Sequence, residues 1–90
     1  SPLKLFESMA SGTPIVATEM PSVLEVVKHR ETAYLVKSDD PVSLMAGIKT
    51  VLADPELGRS MSVNAKSVIA DYSWAKRAER ILQRSEKLSN

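Results

Sequence analysis

The chain has 90 residues and a formal net charge of +1; 43% of its residues are hydrophobic and 26% are charged. This mixture is typical of an ordinary soluble globular domain and excludes a disordered tail. Near neutrality gives no support to nucleic-acid binding. The absence of cysteine excludes a disulfide framework, a thiolate zinc site and a thiol nucleophile. No apolar run approaches the roughly 20 residues that a membrane-spanning helix needs.

The first predicted element is a helix near the start of the chain, and a strand follows it. Apolar residues recur at helical spacing before Gly12, which is well placed to end the helix in a left-handed conformation. These residues are Leu3, Phe6 and Ala10, with Leu5 and Met9 beside them. Residues 14–18 and 33–36 have consecutive apolar side chains, which is typical of strands buried on both faces of a parallel sheet.

Three further helices have recognisable starts. Ser22 and Glu25 form a capping-box pattern that predicts two helical turns, from about Ser22 to Lys28. Asp40-Pro41 and Asp54-Pro55 each place a capping carboxylate before a proline at the first helical position. The predicted buried faces are Leu44, Met45, Ile48, Val51 and Leu52 in the first of these helices, and Leu57, Met61, Ala65 and Val68 in the second.

A terminal helix is predicted to begin at Ser73. Its apolar stripe comprises Trp74, Ala78, Ile81, Leu82 and Leu88. Its basic residues outnumber its acidic ones, so it can either lie on an anionic membrane or form a solvated face. We favour the solvated face, and we expect a cytoplasmic protein with membrane association at most peripheral.

Alternation of buried strands with helices predicts an α/β fold: a partial Rossmann-like layer with two short parallel strands and about five helices. Two strands cannot close a sheet or cover both of its faces. We therefore expect residues 1–90 to be part of a larger doubly wound domain whose other strands lie upstream. An open sheet edge also invites self-association.

The start of the first helix is the best candidate binding site. The free N–H groups of Leu3 and Lys4, with the helix dipole, suit phosphate oxygens. Glu7 lies one turn on, where a carboxylate can accept two hydrogen bonds from a vicinal diol. The alternatives are a solvated glutamate on a packing helix and a solvent-facing Lys4.

Other kinds of site find little support in the sequence. His29 is the only imidazole, so no metal cluster is predicted, and it is expected to complement a helix C-terminus. No G-x-S-x-G elbow positions a nucleophile, and no G-x-G-x-x-G or Walker loop is present. No catalytic residue is assigned within the chain.

The run Leu-Lys-Leu-Phe-Glu-Ser-Met-Ala-Ser-Gly-Thr-Pro-Ile-Val-Ala-Thr, residues 3–18, resembles the most recognisable stretch of group-1 retaining GT-B glycosyltransferases. Later segments resemble that family in order, so the similarity covers essentially the whole chain. They are the short helix of residues 21–27, the strand 33–36, the Asp-Pro pairs at 40–41 and 54–55, and the Tyr-Ser-Trp of 72–74.

The resemblance implies a function for the parent protein. It would be a retaining, hexosyl-type transferase that moves a sugar from a nucleoside-diphosphate sugar to an acceptor hydroxyl, with no cofactor and no obligatory metal. Residues 1–90 would be the C-terminal half of its nucleotide-sugar-binding domain. Glu7 would hold the donor's ribose hydroxyls, and the backbone of Leu3 and Lys4 would face the diphosphate.

The resemblance also implies that the site is incomplete in this chain. The family's first glutamate, which contacts the donor sugar, would stand eight residues before Glu7, outside the chain. The chain alone is therefore expected to be inactive. Met20-Pro21 replaces a common Gly-Gly, and Arg30 and Ala33 stand where glycine is frequent, which leaves the sugar specificity open. The alternative functions are a non-catalytic nucleotide- or sugar-binding module and a self-association module.

Overall fold

The computed structural model describes residues 2–71, 79 and 80, with Pro2 and Leu3 described by their backbone alone. Within these residues it contains two strands and four helices: α1 (Pro2–Ser11), β1 (Val16–Thr18), α2 (Pro21–Leu24), β2 (Tyr34–Val36), α3 (Pro41–Ala53) and α4 (Pro55–Ala70). The predicted α/β class and both predicted strands are confirmed. Of the terminal helix predicted from Ser73, only Glu79 and Arg80 lie within the described residues, and both are helical.

The two strands pair in parallel, with Val16 opposite Tyr34 and Thr18 opposite Val36, and α2 lies in the crossover between them. This is the unit of a partial Rossmann-like layer. Both strands are shorter than predicted. Pro14 has no N–H for a ladder, and Ala33 forms an isolated bridge with His29 instead of extending β2.

Each face of the small sheet is covered by helices, as the consecutive apolar residues predicted. On one face α3 packs against both strands, and Gly47 lies against Val16, Tyr34 and Val36. The other face belongs to the core cluster, whose buried members are Phe6, Met9, Ile15, Val26, Val27, Ala33, Leu35 and Ala65. Side chains of adjacent strand residues therefore enter opposite layers.

Helix α1 packs against α4 across this core. Phe6 and Met9 are buried, whereas Ala10 is exposed, although Ala10 belongs to the apolar residues that recur at helical spacing. The buried stripe is centred on Phe6 and Met9, and Ala10 falls on its flank. Gly12 has φ +80°, which confirms the predicted left-handed end of the helix.

Helix α2 differs from the predicted capping-box helix in both its start and its length. It begins at Pro21 after Met20, whose side chain makes no cap hydrogen bond. It ends at Leu24. The Val26 N–H bonds to the Val23 carbonyl, only three residues back, at 3.0 Å, and the Lys28 N–H bonds to Oγ1 of Thr32 at 2.9 Å. Proline is pre-shaped for the first helical position, so the helix starts there and Ser22 cannot be the N-cap.

The two Asp-Pro starts are confirmed. Asp40 accepts a hydrogen bond from the Ser43 N–H at 3.1 Å, and Asp54 accepts one from the Leu57 N–H at 3.1 Å. In α4 the predicted Met61 and Ala65 are buried together with Gly58 and Ser62.

The predicted face of α3 is only partly buried. Val51 is buried, but Met45 and Leu52 are 55% and 76% exposed, so their predicted burial is wrong. The reason is Gly47, whose missing side chain lets the helix approach the sheet most closely at that residue. Leu44 and Ile48, at 39% and 38%, lie at the margin of the contact.

Arg30 holds a left-handed conformation, with φ +66°, at a position where the resemblance led us to expect glycine. This conformation costs a non-glycine residue roughly 1–2 kcal/mol. Replacing Arg30 by glycine is therefore expected to raise the free energy of unfolding by about 0.5–1 kcal/mol, measured by urea denaturation.

Arg30→Ala is the matched control for that substitution. The guanidinium carbon of Arg30 lies 5.9 Å from the ring centre of Tyr34. Alanine removes this contact but leaves the strain of the left-handed backbone in place. Arg30→Ala should therefore be neutral or slightly destabilising. An equal gain from both variants would contradict the assignment of strain to φ.

Candidate functional site

The candidate site is built on the first turn of α1. The helix begins at Pro2, so the N–H groups of Leu3 and Lys4 lie among the four that have no partner within a helix. Lys4 and Glu7 are both exposed. Proline at the helix start costs nothing, because its missing donor would have been free in any case.

The topology places this turn at the carboxyl edge of the sheet. The connection from Gly12 to Ile15 is short, so α1 and β1 run in opposite senses, and the start of α1 lies at the end where β1 finishes. Contact between α1 and α2, which follows β1 directly, agrees with this arrangement. Open α/β sheets bind ligands at this edge.

The loop that follows β1 and the loop that follows β2 complete the carboxyl edge, and hydrogen bonds join them. The Glu19 N–H donates to the Val36 carbonyl at 2.9 Å, and the Ser38 hydroxyl donates to the Glu19 carbonyl at 3.2 Å. A hollow of about 390 Å³ beside them is lined by Thr18, Lys37, Asp39, Asp40, Pro41 and Leu44. These loops therefore present a fixed polar rim next to the strand ends.

Lys37 and Asp39 were not singled out from the sequence. The available signal was their position directly after a strand, since the carboxyl ends of parallel strands share one edge. Asp39 has φ +54°, a left-handed turn that aspartate tolerates better than most residues. Leu3, Lys4 and Glu7, by contrast, are brought onto one helix end, as the sequence predicted.

The sequence matches the family described as glycosyl transferases group 1 over residues 1–68. The chain belongs to this family. Relatives include a D-inositol 3-phosphate glycosyltransferase of Corynebacterium diphtheriae, 33% identical over 88% of this chain and 18% of its own length. An N-acetyl-alpha-D-glucosaminyl L-malate synthase of Bacillus anthracis is 30% identical over 96% of this chain and 22% of its own length. A glycosyltransferase of Haemophilus influenzae is 33% identical over 83% of this chain and 22% of its own length.

The group 1 segment therefore spans about a fifth of the length of these curated relatives, between 18% and 22%. Among the residues that the structure describes, no helix combines the length and apolar character needed to cross a membrane. Over the same residues no cluster of three or more His, Asp or Glu side chains is arranged to hold a metal ion.

His29 of the group 1 segment has a structural role, which differs from the predicted one. Its Nδ1 accepts a hydrogen bond from the Leu35 N–H at 3.0 Å, and its ring meets Tyr34 edge-on at 4.7 Å between centres. The predicted role at a helix C-terminus is wrong, because α2 has already ended at Leu24. The imidazole instead accepts, at the outer edge of β2, a backbone hydrogen bond that a neighbouring strand would otherwise accept.

Replacing His29 by alanine is expected to lower the free energy of unfolding by about 1–3 kcal/mol, because it leaves the amide of the buried Leu35 without its acceptor. Asparagine places an oxygen close to the position of Nδ1, so His29→Asn should retain much of the stability. Urea denaturation of the two variants tests this. Equal losses in both would show that the acceptor is unimportant.

Proposed function

We propose that the protein to which this segment belongs transfers a sugar from a nucleoside-diphosphate sugar to an acceptor hydroxyl, with retention at the anomeric carbon. The donor is a substrate, and no cofactor takes part. Membership of the glycosyl transferases group 1 family supports glycosyl transfer as the general activity. The observation that carries the donor assignment is the exposed Glu7, one turn after the free amides of Leu3 and Lys4.

Each group has a chemical task in this proposal. The N–H groups of Leu3 and Lys4, at the positive end of the α1 dipole, face the diphosphate oxygens. Glu7 accepts hydrogen bonds from the ribose diol, as acidic side chains do in other dinucleotide folds. The Lys4 ammonium adds a positive charge on the same turn.

The same arrangement favours the transfer step. When the bond from the anomeric carbon to the phosphate oxygen breaks, negative charge grows on the departing diphosphate. Amides already aimed at that position stabilise the charge without reorganising. The new bond joins the acceptor oxygen to the anomeric carbon, and the proton of the acceptor hydroxyl passes to the departing diphosphate.

Calorimetric titration of the full-length protein with UDP and with GDP tests the donor site. One nucleotide is expected to bind, and Glu7→Ala should weaken it by about 1.5–3 kcal/mol, the scale of hydrogen bonds to a charged group. Glu56→Ala is the matched control, because Glu56 is an exposed acid in the first turn of another helix, α4, and it should bind like the wild type.

The opposite results have distinct meanings. If neither nucleotide binds, or if Glu7→Ala behaves like Glu56→Ala, Glu7 is a solvated residue and the donor site lies elsewhere. If a nucleotide binds but the full-length protein gives no turnover with nucleotide sugars, the site belongs to a non-catalytic binding module.

A further inference from the structure

The residue that follows β1, Glu19, is anchored to the β2 side of the sheet through both of its backbone polar groups. Its N–H donates to the Val36 carbonyl at 2.9 Å, and its carbonyl accepts a hydrogen bond from the Ser38 hydroxyl at 3.2 Å. The start of the loop after β1 is therefore held against the carboxyl edge of the sheet.

Met20, the next residue, has a fixed backbone and an exposed side chain. Its N–H donates to the Thr18 carbonyl at 2.8 Å, and its own carbonyl accepts from the N–H groups of Val23 and Leu24, both at 2.9 Å. The side chain of Met20 is nevertheless 50% exposed. Because the backbone is held on both sides, the loop cannot turn to bury this side chain, which stays at the carboxyl edge.

The surface around Met20 combines apolar and polar groups. The apolar part continues onto α2, where Pro21 is exposed and Leu24, one turn later, is 51% exposed. The polar part is the rim of the neighbouring hollow, which includes Lys37 and Asp39. Small-molecule sites typically pair apolar surface with a few polar groups, and a sugar ring, with its C–H groups and hydroxyl groups, matches both parts.

The donor geometry proposed above directs the sugar toward this loop. If Glu7 takes the ribose and the amides of Leu3 and Lys4 take the diphosphate, the sugar is attached at the end of the diphosphate opposite to the ribose. It then extends from the start of α1 away from Glu7, over the carboxyl edge of the sheet. The loop after β1 lies at the same edge, and α2, which begins there, contacts α1.

We propose that the side chain of Met20 contacts the sugar of the nucleotide-sugar donor and is a specificity-determining residue of the site. Its methylene and thioether groups pack against the C–H groups of the sugar ring, to which an unbranched, polarizable side chain adapts well. Glycine, which the resemblance led us to expect at this position, would offer the sugar no side chain. The inference rests on the proposed function and extends it by assigning a residue to the sugar.

Calorimetric titration of the full-length protein separates the sugar from the nucleotide. The Kd is measured for UDP and UDP-glucose, or for GDP and GDP-mannose, according to which nucleotide binds. Met20→Ala should raise the Kd of the nucleotide sugar relative to that of the nucleotide by about five- to tenfold, the effect of losing the burial of part of one apolar side chain.

Two further variants are matched to this one. Met20→Leu keeps an apolar side chain, so its ratio of the two Kd values should stay within about twofold of the wild type. Met45→Ala makes the same change as Met20→Ala at a side chain that is 55% exposed but lies on α3, away from the loop after β1, and its ratio should be unchanged.

The remaining outcomes would overturn the inference, and they separate it from the donor site. If Met20→Ala leaves the ratio unchanged while Glu7→Ala still weakens nucleotide binding, the inference fails and the donor site stands. If Met20→Ala weakens the nucleotide and the nucleotide sugar equally, Met20 supports the loop and does not touch the sugar. If Glu7→Ala changes neither Kd, the proposed function fails and this inference fails with it. A lower unfolding temperature in Met20→Ala with an unchanged ratio would show that another part of the polypeptide covers Met20.

Discussion

Replacing Met9 by alanine is expected to lower the free energy of unfolding by about 2–5 kcal/mol. Met9 is 0% exposed and belongs to the core cluster that joins α1 to the sheet and to α4. Alanine removes the buried thioether and leaves a cavity, and both changes destabilise the folded state. Urea denaturation followed by circular dichroism measures the change.

Met45→Ala is the matched control for that experiment. It makes the same chemical change on α3 at a side chain that is 55% exposed, so it should change stability by less than about 0.5 kcal/mol. Similar losses in the two variants would mean that α1 is not docked as described. In that case the helix that carries Glu7 would also lack a fixed position.

Replacing Gly47 by valine is expected to cost about 3 kcal/mol or more, at the upper end of overpacking effects. A Cβ on Gly47 would lie 2.5 Å from Cγ1 of Val36 and 3.3 Å from both Cδ1 of Tyr34 and Cγ1 of Val16. Val36 and Val16 are β-branched and stiff, so they cannot turn aside. Helix α3 would have to move away from the sheet.

Ala46→Val isolates this packing effect from helix propensity. Ala46 is adjacent in α3 and exposed, so its replacement by valine should cost only the propensity difference, about 0.5 kcal/mol. Thermal unfolding of both variants gives the comparison. A loss in Gly47→Val no larger than in Ala46→Val would contradict the close approach of α3 to the sheet.

Features that depend on neighbouring residues were predictable from the sequence. Asp40 and Asp54 cap the helices that follow them, because a carboxylate three residues before a free amide needs no distant partner. Gly12 ends α1 for a similarly local reason. The two strands were recognised because consecutive apolar residues fit a sheet that is covered on both faces.

Features that depend on distant contacts were not predictable. Which face of α3 is buried follows from how closely Gly47 approaches Val36, and periodicity cannot show that distance. The acceptor role of His29 depends on Leu35, which reaches it only after the chain has turned back. Ser22 and Glu25 match the capping-box pattern, but Pro21, one residue earlier, matches the preference for proline at the first helical position, and the helix begins there.

The candidate site likewise combines residues that are close in the sequence with residues that only the fold brings near. Glu7 and the amides of Leu3 and Lys4 share one helix, so their grouping followed from helical spacing. Lys37 and Asp39 join the same edge only because β2 pairs in parallel with β1. The parallel pairing was predicted, but no motif at Lys37 or Asp39 singled these two residues out.

The contact between α1 and α4 has a consequence for the order of events during synthesis. Strand β1, helix α2, strand β2 and helix α3 all lie between these two helices in the chain. Phe6 and Met9 cannot complete their packing until Ala65 has left the ribosome, and such non-local contacts form late because the intervening loop must close first. The helix that carries Glu7 is therefore among the first parts of the segment to be made and among the last to be held in place.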